Sequence, residues 1–513
     1  MPAVRRRLAG PWSAALSLAE FKGRFWTIAL TMIAITLAPA AYGQESAAAI
    51  DFKPAPTDFW RHSAEIDIEA AYQMLLADHP GATPEVGDNV FRATLERSHA
   101  VAAARAQQVE SYEGYVATLA AFANAFGDKH VRSSPTLQLA RPDWAGVILA
   151  KRGDRWVVAD EQALSPADSL LGARLVSCDG RTPDDWGKQV LGGFRADWSV
   201  EAQQEQSAPW LLVNEGNPFV PRPVSCAFDK GGAVRDVRLD WRPISRGSLT
   251  LRFAKANNFG AAGYGVRQAG GGYWIALQGL EDARAVAVVD AVRAQAAAMR
   301  NAPFVILDLR GNGGGSSEFG RQIAEQLFGQ AYVNAKLGAP DAPCGSAWRV
   351  SPANLRELEH DRVVLADRGP EFLKILDNLL AQARDAAKAG KPFSGPVTCP
   401  TTAGRASALA PSFKGRLFLV TDGLCFSSCL EVVDDFRHLG AVQLGRTTDA
   451  NTHYAEVSDR PMPSGLSTFS TLMAIDVSEP PRIGPFEPQQ VFDGDIADTT
   501  AVQAWAIAIA SKS

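Results

Sequence analysis

Residues 304–315 read Phe-Val-Ile-Leu-Asp-Leu-Arg-Gly-Asn-Gly-Gly-Gly. The first half is a continuous apolar run closing on Asp308, the pattern of a strand buried on both faces of a parallel sheet. The second half is a glycine-rich loop, and the residues beyond it predict a helix over about Glu318 to Leu327. In a strand–loop–helix of this kind, loop N–H groups and the positive end of the helix converge on one point. Such a point can hold a phosphate or a developing oxyanion. The loop is not a P-loop, because no Lys-Ser/Thr follows, and Ser316 stands where a Gly-x-Gly-x-x-Gly fingerprint needs its last glycine.

The same grammar recurs on either side. Tyr273-Trp-Ile-Ala-Leu predicts a strand and Asp282 to Met299 a helix; later, Leu417-Phe-Leu-Val-Thr predicts a buried strand, Ser428 to about Leu439 a helix, and Ala441-Val-Gln-Leu a further strand. Alternating strands and helices argue for a layered α/β core. Between the two units lies an insert at 330–412, which carries Cys344, Cys399 and one amphipathic helix (Phe372, Leu376, Leu379, Leu380). An insert of that length on a compact core reads as a lid or cap.

Upstream the character changes twice. Ile68, Ala71, Tyr72, Leu75 and Leu76 form one helical stripe that Pro80 and Gly81 stop; Tyr115, Leu119, Phe122 and Phe126 form a second, with Gly127 as its stop. The helical region spans 44–135. Residues 140–247 hold short strands (Gly146-Val-Ile-Leu, Arg155-Trp-Val-Val-Ala, Ala173-Arg-Leu-Val-Ser, Val237-Arg-Leu-Asp-Trp) split by Gly, Asp and Pro. The stretch Ser165 to Gly180 resembles the PDZ pattern of a helical turn leading into a strand that ends in Asp-Gly, and the resemblance implies peptide binding by β-augmentation.

The chain has 513 residues, 46% of them hydrophobic and 21% charged, and a net charge of −5. That is a globular balance with room for several domains, and it gives no reason to expect nucleic acid. Residues 1–43 read as a signal peptide. Arg5, Arg6, Arg7, Lys22 and Arg24 precede an apolar run from Phe25 to Leu37, and small residues follow up to Gly43. Cleavage there gives a periplasmic or secreted protein; membrane attachment is expected only if the segment stays uncleaved. In that oxidising setting the six cysteines allow 15 pairings that sequence does not choose among; proximity suggests Cys178 with Cys226 and Cys344 with Cys399, Cys425 and Cys429 could close a small loop, and the competing reading leaves some of them free and buried. No Cys-x-x-Cys pair and no Cys/His cluster has zinc spacing, so neither a metal nor another cofactor is expected.

The second chemical signal is Gly423-Leu-Cys-Phe-Ser-Ser-Cys-Leu-Glu431. Ser428 falls at a helix N-terminus with Glu431 three residues on, which by itself reads as a capping box. A serine so placed can also act as a nucleophile beside free backbone donors. Taken together, Asp308-Leu-Arg-Gly-Asn-Gly-Gly-Gly, Thr421-Asp-Gly, Ser428-x-x-Glu431 and Gly445-Arg-Thr-Thr resemble the S41 peptidases, which include the C-terminal processing and tricorn-like proteases. Gly484-Pro-Phe-Glu487-Pro resembles that family's Gly-Val-Glu-Pro-Asp element. The resemblance covers the α/β region from about 270 to the end, within an expected S41-like peptidase core at 250–513. It implies an α/β fold with a crotonase-like (ClpP-like) ββα core, flanked by the helical region and the PDZ-like β-domain. It further implies hydrolysis of peptide bonds in a peptide or unfolded protein, with Ser428 rather than Ser427 as nucleophile. The oligomeric state stays open.

One departure redirects the chemistry. The processing proteases carry a lysine base shortly after the Gly-x-x-Thr segment, where this chain reads Thr448-Asp-Ala-Asn-Thr-His453; its only lysine after Ser428 is Lys512. Tricorn-like members resemble a different solution, a histidine ahead of the PDZ-like domain, and Gly127-Asp-Lys-His130 matches it. His130 is the expected base, with His453 as rival. Glu487 is the expected orienting acid, with Glu479 as alternative. The expected oxyanion donors are the N–H of Cys429 and that of Gly314 or Gly315. The competing readings are an inactive peptide-binding relative and a serine hydrolase of small esters.

Overall fold

The computed structural model describes residues 56–512, except 164, 257–258, 282, 339–345, 367–369, 399–408 and 478–482. The expected signal peptide, Glu479 and the Cys344–Cys399 pairing lie outside the described residues. The chain is a mixed α/β protein with several sheets.

The central sheet has six strands in the order Tyr264–Ala269, Gly272–Leu277, Phe304–Asp308, Arg416–Thr421, Val442–Gly445 and Gln490–Val491. The first pair is antiparallel and the others are parallel. The apolar run at 304–308 behaves as its composition demands. Val305 and Leu307 face the helices Ala283–Met299, Glu318–Phe328 and Ser428–His438, while Phe304 and Ile306 face the C-terminal helix Thr499–Lys512. With both faces covered, the middle of the strand at 304–308 is apolar throughout, and the polar Asp308 falls only at its end. Asp308 pairs in register with Val420, so the glycine-rich loop and the serine loop leave the same end of adjacent parallel strands. That end is where open α/β sheets place their ligands.

The N-terminal helices Thr57–Asp78, Asn89–Ala106 and Tyr112–Asn124 bury the predicted stripes: Ile68, Ala71, Leu75, Tyr115, Leu119 and Phe122 are all interior, while Leu76 is exposed. Their core is completed from the far end of the chain. The strand Ser467–Asp476 pairs with Tyr454–Pro461, Ser133–Pro135 and Ser346–Trp348, and contributes Phe469, Leu472 and Ile475 to the helical core. The insert supplies Ala347 and Phe393 to that core, and Asn354 donates to the Asp78 carbonyl at 3.0 Å. No described insert residue lines the pocket at Ser427.

A third layer is a five-stranded antiparallel sheet, Val147–Arg152, Arg155–Glu161, Arg174–Cys178, Ser225–Lys230 and Ala233–Arg238. The expected strand at 237–241 is displaced: strand structure covers Ala233–Arg238 and stops there. Cys178 and Cys226 are register partners and are disulfide-bonded, as are Cys425 and Cys429.

Candidate active site

The serine loop ends in a tight turn. The Cys429 N–H donates to the Phe426 carbonyl at 3.2 Å, and Ser427, the first central residue, has φ +56° and ψ −134°. A turn of this shape (type II′) normally takes glycine there. A serine in that conformation costs on the order of 1–3 kcal/mol and persists because its surroundings hold it. The Cys425–Cys429 disulfide spans the turn from below, with both cysteines fully buried. The result is a half-buried Ser427 side chain standing off the helix Ser428–His438.

His130 reaches this serine from the first third of the chain. Its Nε2 lies 3.1 Å from Ser427 Oγ, and its Nδ1 lies 2.8 Å from Asp128 Oδ1, which also accepts the His130 backbone N–H at 2.9 Å. The Thr452 hydroxyl donates to the other carboxylate oxygen of Asp128. Asp128 is fully buried. Burial pushes its carboxyl up, but the His130 ring, the Thr452 hydroxyl and the His130 N–H together hold it below its ordinary value. Gly127, at φ +64°, turns the chain out of the preceding helix and allows two residues, Asp128 and His130, to face one another within a single short loop.

The glycine-rich loop forms the opposite wall. Asn312 is fully buried; its side chain donates to the Leu277 carbonyl at 2.8 Å and accepts the Gly314 N–H at 2.9 Å. A methyl group at Gly314 would lie 2.7 Å from Ser427 Cβ, so only glycine lets the loop close on the turn. Asp422 couples the two loops by accepting the N–H groups of Gly260, Gly311 and Leu424. Its burial, reinforced by nearby Asp308, raises its carboxyl to about 7 against those donors.

No protein-family model matches the sequence, and no curated protein matches it. Solved structures do. Mature CPAF matches over 87% of this chain and 97% of that chain, with 13% identity and a TM-score of 0.57. The fold is that of mature CPAF. Mature CPAF complexed with lactacystin matches over 88% of this chain and 98% of that chain, with 13% identity and a TM-score of 0.55. A putative S41 protease from Bacteroides fragilis NCTC 9343 matches over 86% of this chain and 97% of that chain, with 12% identity and a TM-score of 0.31. A shared fold at such identities does not carry chemistry with it.

Several expectations are redrawn by this geometry. Ser428 does not meet His130: it is buried, and its hydroxyl donates to the Gly315 carbonyl at 2.8 Å, tying the helix to the glycine-rich loop. Nor does it cap the helix, whose N-cap position belongs to Ser427. The expected Cys429 donor is spent on Phe426, and that of Gly314 on Asn312. Among the described residues, the N–H groups of Ser428 and Gly315 have no acceptor. Glu487 is exposed, its carbonyl accepting from Arg437, and it is not the carboxylate at His130 Nδ1. His453 lines the same pocket as Ser427 without a hydrogen bond to it; burial holds its imidazole low, against the pull of Asp88, Asp476 and Asp128. Asp128 is the residue that sequence reasoning missed. The signal was present as Asp-x-His in the quoted loop.

Proposed function

We propose that this chain is an exported serine peptidase that cleaves peptide bonds through an acyl-enzyme on Ser427, with His130 as general base and Asp128 orienting it. The observation that carries the reading is the continuous set of contacts from Asp128 through His130 to Ser427, at 2.8 and 3.1 Å. Ser427 Oγ attacks the carbonyl carbon while its proton passes to His130 Nε2. The C–N bond then breaks as His130 returns that proton to the departing amine. Water hydrolyses the ester by the same route in reverse. Anionic Asp128 fixes the tautomer that leaves Nε2 free to accept, and stabilises the imidazolium that forms. The N–H groups of Ser428 and Gly315 are the candidate oxyanion donors; Ser428 brings the positive end of its helix with it.

Within this reading the six-stranded layer is a crotonase-like ββα core, and residues 140–247 are a PDZ-like domain that takes a peptide strand. Two disulfides support an extracytoplasmic setting. The substrate class is a peptide or unfolded protein.

Hydrolysis of fluorescein-labelled β-casein tests the assignment. Wild type and Ser428→Ala should cleave it, whereas Ser427→Ala and His130→Ala should lose about 10³-fold or more. Cleavage by Ser427→Ala at the wild-type rate would overturn the reading. Binding of casein without cleavage by wild type would mark a non-catalytic peptide binder. Turnover of p-nitrophenyl acetate alone would mark an esterase.

A further inference from the structure

Between the orienting acid and the base in sequence sits Lys129, whose side chain turns to other partners. Lys129 sends its ammonium away from Ser427 to Asp449, at 2.7 Å from Oδ2, and it also donates to Gln206 at 2.9 Å. Asp449 is completely buried. A buried carboxylate is tolerated only when it is paired and fully hydrogen-bonded. Asp449 meets that demand, accepting from Lys129, from Gln203 at 3.0 Å, from Gln206 at 2.9 Å and from the Ala450 N–H at 2.8 Å.

The value of this cluster lies in what it joins. The Asp449 N–H donates to the Cys425 carbonyl at 3.1 Å, so the same residue grips the nucleophile turn. Three residues on, the Thr452 hydroxyl grips Asp128. The segment 449–452 therefore holds the base loop at two consecutive positions and the serine loop at a third. Phe426 fills the space between: the Lys129 ammonium lies 4.6 Å from its ring centroid, and the His130 ring packs on it at 4.7 Å. We infer that Lys129 and Asp449 are positioning residues, whose ion pair sets the distance between His130 and Ser427. The inference rests on the Ser427–His130 reading above.

Inactivation by a fluorophosphonate tests it, because that reaction needs an activated serine and no knowledge of the natural substrate. Lys129→Met keeps an apolar stem over Phe426 and removes the charge; Asp449→Asn removes the other partner. Each should lower kinact by about 10²-fold, with KI within about twofold and the labelled fraction at completion unchanged. Lys129→Arg, which keeps the charge, should recover all but about tenfold. Where a single variant fails to fold through its unpaired buried charge, the double variant Lys129→Met/Asp449→Asn removes both charges and is read instead, with the same expected loss. A kinact within about threefold of wild type, a loss confined to the labelled fraction, or no recovery with Lys129→Arg would overturn the inference. His130→Ala separates the two levels: if it too reacts at the wild-type rate, the failure belongs to the Ser427–His130 reading and not to the ion pair.

Discussion

Ser427→Gly should be more stable than Ser427→Ala, although both remove the proposed nucleophile. The backbone there has φ +56° and ψ −134°, a conformation that costs a residue with a Cβ on the order of 1–3 kcal/mol. The turn has no room to relax, because the Gly314 backbone packs directly on Ser427 and the 425–429 disulfide closes the other side. Glycine avoids the steric cost and gives back about 0.5–1 kcal/mol through its more flexible unfolded chain. Ser427→Gly and Ser427→Ala both lose the hydrogen bond to His130, so their difference isolates the Cβ. The expected net gain of glycine over alanine is about 1–2 kcal/mol. For a cooperative unit of 150–250 residues each kcal/mol is worth about 2–4 °C in Tm. Thermal unfolding of the two variants, side by side at one pH, reads this directly. An alanine variant as stable as the glycine variant, or more so, would refute the claim that strain is held at the turn.

Other outcomes follow from the same contacts. Asp128→Asn should place an amide donor against His130 Nδ1, forcing the proton onto Nε2, where it blocks transfer from Ser427; kcat on labelled casein should fall about 10³–10⁴-fold with the fold intact. Replacing Cys425 and Cys429 together by alanine should cost about 2 kcal/mol of stability, as expected for so short a closed loop, and should lower the rate of fluorophosphonate labelling further than stability accounts for. His79 is fully buried, and burial holds its imidazole down at about 3 from an ordinary 6.5, with Asp128 and Asp88 pulling upward. Its neutral form is thus favoured in the folded state, so its contribution is complete above pH 6.5 and is lost as pH falls toward 3. Between pH 7 and pH 4 the wild type should lose about 3 kcal/mol from this group. In urea titrations His79→Asn, which can still accept from the Gly81 N–H as His79 Nδ1 does, should show a smaller difference between those two pH values.

The parts of this molecule that are legible in sequence are those where burial dictates composition. Val305 to Asp308 and Leu417 to Thr421 spell strands because both of their faces are covered. The loop at 127–130 announces itself through a glycine that must adopt positive φ just past a helix. What sequence leaves undecided is set by single backbone angles or by distant packing. Ser427 and Ser428 are adjacent and chemically identical; only the positive φ at 427 turns one toward His130 and leaves the other against Gly315. Asp128 escapes notice because a carboxylate two residues before a histidine is common in loops, and because the C-terminal Gly-Pro-Phe-Glu element draws attention to Glu487. The hairpin at 454–476 gives no sign that it completes a core with helices nearly 400 residues earlier, since its alternation is satisfied by any apolar partner.

Ser427, activated by His130, is the proposed reactive serine. Treatment of the full chain with a fluorophosphonate, followed by peptide mass spectrometry of the 425–431 segment, tests it most directly. A single adduct on Ser427 is expected in the wild type, lost in His130→Ala and retained in Ser428→Ala. An adduct on Ser428, or labelling of Ser427 that is indifferent to His130, would contradict it.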